Sequence, residues 1–325
     1  MKNSLKNRAL ISQGWYQFTE NLAYALTNKK IDKNIEFIQK ISYGNAKTNV
    51  ANIMYRRDLE DVTKPVFLYI HGGGWISGKL NLRNQYNQEY AKMGFFSYSL
   101  DYTVAPQAIY PTPIQEIFNA IDWLYENKDV YHIDMQNILV AGDSAGGYFI
   151  TMLADLKNNP EKMERIGVSC KHINDININA LVSICGAFDI KRMYDKTNPQ
   201  SKFPDMKVFL YAFIGKSGKD FKEWLASDSA VDASPTITSS FPPTFLIWAT
   251  ADKLRYESFD LIKQFDEVGV EYGQFKADKE IKNHAWAVVT QLPTAKLGLY
   301  YTHKFVLPKF SKYFEEIDDY WHFKN

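Results

Sequence analysis

The run Gly142-Asp143-Ser144-Ala145-Gly146-Gly147 holds a serine between two glycines in a G-x-S-x-G frame, the only one in the chain. A serine hydroxyl at its ordinary pKa is a poor nucleophile. It attacks a carbonyl only with a base in hydrogen-bond reach and a carboxylate to orient that base. The flanks give the frame its meaning. Ile138-Leu139-Val140-Ala141 is a short apolar run that reads as a buried strand, and Ala145, Phe149, Met152, Leu153 and Leu156 follow at helical spacing. Strand, motif and helix together predict a nucleophile elbow, a turn so tight that Ser144 is strained at its tip. Gly142 and Gly146 then avoid a collision across the turn, and the free N–H groups opening the helix point back at the serine. A Gly-rich turn without chemistry is the bland alternative, and the flanks favour the elbow.

The base and its orienter are sought at the ends of later strands, in the chain order serine, acid, histidine. Only His284, His303 and His322 lie late enough. His303 falls inside a helical pattern and His322 in the tail, whereas His284 sits in a loop after a strand, between Asn283 and Ala285. Asp252 stands just past the strand Phe245-Leu246-Ile247-Trp248-Ala249 in a turn-like stretch, while Asp260 and Asp266 fall on the next helix. Ser144, Asp252 and His284 are therefore the expected catalytic set. A second strand, Val66-Phe67-Leu68-Tyr69-Ile70, runs into His71-Gly72-Gly73-Gly74-Trp75. Three glycines in a row leave backbone N–H groups free to face an anion or an oxyanion. A phosphate cradle fits poorly, because neither a G-x-x-x-x-G-K-[ST] nor a G-x-G-x-x-G frame is present.

The elements that must carry these residues follow an alternating pattern. Residues 1–30 read as an amphipathic helix with Trp15, Phe18, Leu22 and Ala25 on one face. Two strands, 35–42 and 50–56, are joined by a turn at Tyr43-Gly44-Asn45. Strands at 66–70, 95–102, 138–141, 179–185, 245–249 and 271–275 alternate with helices, one carrying Ile114, Ile117, Ile121 and Leu124 and the last carrying Leu297, Tyr301 and Phe305. Such alternation predicts an α/β fold with a mostly parallel central sheet flanked by helices. The pattern breaks over 186–240, where Phe203, Phe209, Phe213 and Trp224 occur in short helical stretches. The expectation is one domain over 1–325, with a helical cap from about 1–30 and 186–240. The aromatic tail after Pro308 is expected to pack on the domain, with a partner surface as the alternative.

Composition narrows the class. Among 325 residues the net charge is +1 and the basic residues are scattered, which argues against a nucleic-acid partner. No run reaches the length of a membrane span. With two cysteines, Cys170 and Cys185, and no signal-peptide pattern, a cytoplasmic location is expected. Both read as buried small hydrophobes, and neither a metal nor an organic cofactor is expected.

The sequence resembles the hormone-sensitive-lipase-like branch of the α/β-hydrolase carboxylesterases. The resemblance covers about residues 45–305 and rests on His71 to Gly74, Asp101-Tyr102-Thr103-Val104-Ala105-Pro106, Gly142 to Gly147, Ala233-Ser234-Pro235, Pro242-Pro243, Asp252 and His284. It implies an α/β-hydrolase fold with a helical cap and the roles of Ser144 as nucleophile, His284 as general base and then acid, and Asp252 as its orienter. It also implies an oxyanion hole from the N–H groups of Gly73, Gly74 and Ala145, and a structural His71 holding the glycine loop. Thr103 stands where the family usually has Arg, Gln107 where it has Glu, and Lys253 where Pro or a small residue commonly follows the acid. Trp75 is shared with relatives acting on sugar-linked or aryl esters. The expected partner is a small soluble ester with a short acyl chain; monomer and homo-oligomer both stay open. An esterase for acetylated or feruloylated carbohydrates, an arylformamidase, and a ligand-binding protein on the same fold are the alternatives.

Overall fold

The structure, a computed structural model, describes residues 3–27, 30–196, 206–278 and 284–314. Its frame is an eight-stranded sheet: β1 (Ile35–Ser42), β2 (Val50–Arg56), β3 (Lys64–Ile70), β4 (Phe96–Leu100), β5 (Ile133–Asp143), β6 (Ile178–Ile184), β7 (Thr244–Ala249) and β8 (Tyr272–Ala277). The strand order is β1-β2-β4-β3-β5-β6-β7-β8. β1/β2 and β2/β4 pair antiparallel, and every pair from β4/β3 to β7/β8 is parallel. This is the mostly parallel, helix-flanked sheet expected from the alternating pattern, and it agrees with the fold that the resemblance implies.

The helices are α1 (Asn3–Thr27), α2 (Asn84–Met93), α3 (Thr112–Glu126), α4 (Ala145–Asn158), α5 (Pro160–Ile166), α6 (Ile190–Lys196), α7 (Met206–Ile214), α8 (Gly218–Leu225), α9 (Asp228–Asp232), α10 (Arg255–Val268) and α11 (Pro293–Val306). No helix among the described residues is long and apolar enough to cross a membrane.

β3 and β7 are buried along their whole length, because helices cover both faces of the sheet. Successive side chains of a strand point to opposite faces. Val66, Leu68, Ile70, Val140 and Leu246 accordingly join the core beneath α3, α4 and α10, while Phe67, Tyr69, Leu139, Ala141 and Ile247 join the core beneath α2 and α11. α3 buries Ile114, Ile117, Ile121 and Leu124, the face expected from their spacing.

Three details differ from expectation. α1 forms, but its apolar stripe faces solvent: Trp15 is 55% and Phe18 63% exposed. The helix docks instead through Ala9, which allows close approach to the body, and Gln13, whose amide reaches the Ala105 carbonyl (3.5 Å) and the Gln107 side chain (3.4 Å). The side chains of Leu22 and Ala25 lie outside the described residues. α11 likewise exposes Leu297 and Tyr301 and buries Ala295, Leu299 and Val306; its small Gly298 comes up against Phe275 and Trp286. α2 was hidden by its polar composition, yet it buries Tyr86, Tyr90 and Met93.

α6, α7, α8 and α9 fill the interval between β6 and β7, and α1 packs against α7. α7 settles over the loop after β3: Phe213 stacks on Trp75 with ring centroids 5.0 Å apart, and Trp75 meets Tyr148 of α4 edge-on. Phe209 is buried and Trp224 half-buried, while Phe203 lies outside the described residues. In the tail, Phe310 and Phe314 pack on Phe95; Tyr320, Trp321, His322 and Phe323 lie outside the described residues.

Candidate active site

β5 ends at Asp143 and α4 begins at Ala145, so Ser144 alone makes the turn. Its backbone adopts φ 53°, ψ −116°, a conformation that costs on the order of 1–3 kcal/mol and persists only where the surroundings over-determine it. They do so here. The Ser144 N–H donates to the Ile184 carbonyl (2.9 Å), and the Ser144 carbonyl accepts from Gly147 N–H (2.9 Å) and Ala187 N–H (3.0 Å). The glycines are sterically required: a Cβ on Gly142 would lie 2.6 Å from the Gly146 carbonyl, and one on Gly146 only 2.1 Å from the Ile70 oxygen. Ser144 makes no cap hydrogen bond to α4 and is partly exposed, so its hydroxyl is available for chemistry.

Asp252 lies in the turn after β7, where its N–H donates to the Ala249 carbonyl (3.0 Å). The carboxylate is 3% exposed. Its Oδ1 accepts from Leu254 N–H (2.9 Å), and its Oδ2 faces His284 Nδ1 at 2.8 Å. The carboxylate can only accept, so Nδ1 carries the proton and Nε2 is left with a lone pair. The desolvation of His284 disfavours its charged form, but the hydrogen bond and charge of Asp252 outweigh it and raise its pKa. Asp252 also feels burial pushing it up, and the His284 contact still holds it below the usual carboxylate range. The charges of Asp143 and Arg83, beside the elbow, reach His284 as well. Ser144 and the Asp252–His284 pair thus stand at the carboxyl ends of β5, β7 and β8.

The glycine loop after β3 lies against the serine, since a Cβ on Gly72 would meet Ser144 Cβ at 2.9 Å. Gly73 (φ +125°) and Gly74 (φ +60°) adopt the left-handed conformations that glycine tolerates. Among the described residues, the N–H groups of Gly73, Gly74 and Ala145 have no acceptor. Three free donors beside a serine hydroxyl can hold a negative oxygen.

Behind this surface lies a network that sequence reasoning missed. Asp143, nearly fully buried, accepts from Tyr69 Oη (2.6 Å), Gly72 N–H (3.1 Å) and Arg83 Nη2 (2.7 Å). Burial would raise its pKa, yet the Arg83 charge and these donors lower it to about 2. One carboxylate thereby ties the elbow to the glycine loop. The sole signal in sequence was an acidic residue closing an apolar strand; nothing marked Arg83 as its partner. His71 holds the loop from the other side. Its Nε2 lies 3.0 Å from Asp101 Oδ1 and its Nδ1 2.7 Å from the Gly72 carbonyl. Both ring nitrogens face acceptors, which favours the imidazolium. Although burial opposes that charge, Asp101 raises the pKa.

The departures from the family pattern also find partners. Thr103 donates through N–H and Oγ1 to the Glu116 carboxylate (2.6 and 2.8 Å), and Gln107 pairs with Gln13 of α1. Cys170 is buried, as expected, but it is not a plain hydrophobe: its thiol donates to Asp122 Oδ1 (3.2 Å). Cys185 is buried too, but it is not an isolated apolar filler: its Sγ and ligand atoms of Asp252 and His284 lie within 4.8 Å of one another.

The BD-FAE family model matches residues 52–258. The chain is 26% identical over 220 residues to Esterase LipC of Mycobacterium tuberculosis, covering 66% of this chain and 51% of that protein, so the match spans about half the length of that relative. It is 24% identical over 245 residues to an esterase of Gibberella moniliformis, covering 74% of each. Among solved structures it resembles Esterase B from Lactobacillus Rhamnosis with a TM-score of 0.79 at 21% identity, over 95% of this chain and 96% of that one.

Proposed function

Because the chain belongs to the BD-FAE family and is an α/β-hydrolase carboxylic ester hydrolase, we propose that it cleaves small soluble esters through an acyl-enzyme on Ser144. The observation that carries this reading is the 2.8 Å contact of Asp252 with His284 Nδ1, which leaves Nε2 as a free base at the same sheet edge as the strained serine. Nε2 takes the hydroxyl proton as Oγ attacks the ester carbonyl. The carbonyl oxygen becomes an oxyanion held by the N–H groups of Gly73, Gly74 and Ala145. Collapse breaks the bond to the alkoxy oxygen, which leaves with the proton from His284. Water then repeats the sequence on the acyl-enzyme, and Ser144 regains its proton. Asp252 stays ionised throughout and stabilises the imidazolium. An organophosphonate should add its mass to the peptide containing Ser144, and labelling at another serine would overturn the assignment.

The oxyanion role gives a second expected outcome. A Cβ on Gly73 would lie 2.1 Å from the Ser77 oxygen, a clash with backbone that no rotamer relieves. Gly73→Val should therefore displace the loop and lower kcat by about 100-fold or more, with little change in KM, because the donors matter most once charge develops. Normal turnover with only a raised KM would contradict the role. Gly74→Ala should cost less, since that Cβ meets only the Phe209 ring at 3.4 Å.

The cap is the part of the proposal that sets substrate size. α1 and the helices α6 to α9 form it, and α7 brings Phe209 against Gly74 and Phe213 against Trp75. Each acyl methylene gains about 0.8 kcal/mol while the pocket has room, and overpacking against rings costs about 1–3 kcal/mol. Across aryl esters from two to twelve carbons, kept below their micelle concentrations, kcat/KM should peak at about two to six carbons. A maximum at ten carbons or beyond, or a jump when substrate forms an interface, would reject the capped pocket. Two buried free thiols fit a reducing compartment, and a cytoplasmic location belongs to the same proposal.

A further inference from the structure

We infer that Cys185 is a positioning residue for the proposed hydrolysis, its thiol donating a hydrogen bond to the Asp252 carboxylate and so fixing the acid's orientation toward His284. The inference rests on the roles given above to Ser144, His284 and Asp252.

Cys185 occupies the junction of the site. It follows directly on β6, and its N–H donates to the Ile247 carbonyl of β7 (2.7 Å), two residues before the strand's end. The preceding carbonyl, of Ile184, accepts the Ser144 N–H (2.9 Å). A single peptide segment therefore braces the elbow on one side and the acid's strand on the other. Cys185 does so at φ 51°, a left-handed conformation that glycine adopts without strain. The chain nevertheless carries a side chain there. Its Sγ sits within 4.8 Å of ligand atoms of both Asp252 and His284.

The chemistry suits a thiol. Cys185 is 2% exposed and Asp252 3%, so water is not at hand to satisfy the carboxylate. Two donors reach it directly, Leu254 N–H on Oδ1 and His284 Nδ1–H on Oδ2. The thiol is the third group beside it, its Sγ within 4.8 Å of a carboxylate oxygen. Burial and the neighbouring Asp252 and Asp143 charges keep the thiol protonated, hence a donor. A thiol is a weak donor. It can hold the carboxylate's orientation while leaving most of the negative charge to stabilise the His284 imidazolium. The charged groups facing His284 are Asp252, Asp143 and Arg83.

The test compares Cys185→Ala, Cys185→Gly and Cys185→Ser. Glycine removes the donor while relaxing the backbone, so it guards against a folding defect in the alanine variant; serine returns a donor. Alanine and glycine should each lower kcat about tenfold with KM nearly unchanged. In both, the acid limb of kcat/KM should move to higher pH, because Asp252, freed of one donor, holds the proton on His284 more tightly. Serine should restore both quantities toward wild type. The His284 Nδ1–H proton resonance, read by NMR without substrate, should shift in the alanine and glycine variants and return in serine. That readout separates this inference from the catalytic reading: an active Ser144→Ala enzyme would sink the latter while the resonance still reports on Cys185. Wild-type kcat and an unmoved resonance in Cys185→Gly would overturn the positioning role. So would a loss that serine fails to restore, which would make Cys185 a packing residue.

Discussion

Ser144→Ala is expected to lose at least about 10⁵-fold in kcat while the protein stays folded, since in enzymes that use a serine triad removal of the nucleophile costs about six orders of magnitude. The structure explains why the loss should be confined to chemistry. The side chain caps no helix and fills no core position. The forces that hold the elbow are backbone ones: Ser144 N–H to Ile184, the Ser144 carbonyl to Gly147 and Ala187, and the close approach of Gly142 and Gly146. Alanine preserves all of them. The melting temperature should therefore move little, the change in stability staying within about 0.5 kcal/mol. A small residual rate over water should survive through binding and the free N–H donors. The measurement is burst and steady-state hydrolysis of an aryl acetate with a parallel thermal melt. Retained activity would remove Ser144 from the mechanism, and collapse of the fold would show that the hydroxyl is structural.

What could be read in the sequence was whatever physics makes local. β3 and β7 announce themselves because strands buried on both faces carry near-continuous apolar runs, Val66–Ile70 and Phe245–Ala249. The elbow is local as well: its glycines, serine and helix start occupy six consecutive residues. Asp252 and His284 could be selected because each follows a strand, though only the fold brings their side chains to 2.8 Å. The Asp143 network was not legible. Tyr69, Gly72, Arg83 and Asp143 share no spacing, and a buried charge does not name its partner. The face of α1 was misread for a related reason. Apolar spacing marks a stripe but not its destination, and this helix docks by the small Ala9 and the amide of Gln13 while Ile11, Trp15 and Phe18 look outward. Cys185 read as a buried hydrophobe because burial is what composition reveals about a lone cysteine; its neighbour Asp252 is distant in sequence and adjacent only across the β6/β7 edge.

His284→Ala should lower kcat by about three orders of magnitude or more, and Asp252→Asn by somewhat less, because the base moves the proton and the acid only holds and charges it. The double variant should be little worse than His284→Ala alone. Once the imidazole is gone, Asp252 has nothing to orient, so the two losses cannot multiply. The pH dependence sharpens the assignment. Catalysis needs His284 neutral at Nε2. The fold opposes its charge by desolvation, but the Asp252 hydrogen bond and charge prevail and raise its pKa above the ordinary 6.5. Wild-type kcat/KM should therefore fall on acidification through a midpoint above 6.5. In Asp252→Asn the negative charge that raises the pKa is lost, so the residual activity should show its acid limb at lower pH than wild type. The check is kcat/KM for a neutral aryl ester across the pH range in all three variants and the parent. An acid limb that stays in place in Asp252→Asn, or losses that multiply in the double variant, would mean that Asp252 is not the partner of the base, whatever the distance between them.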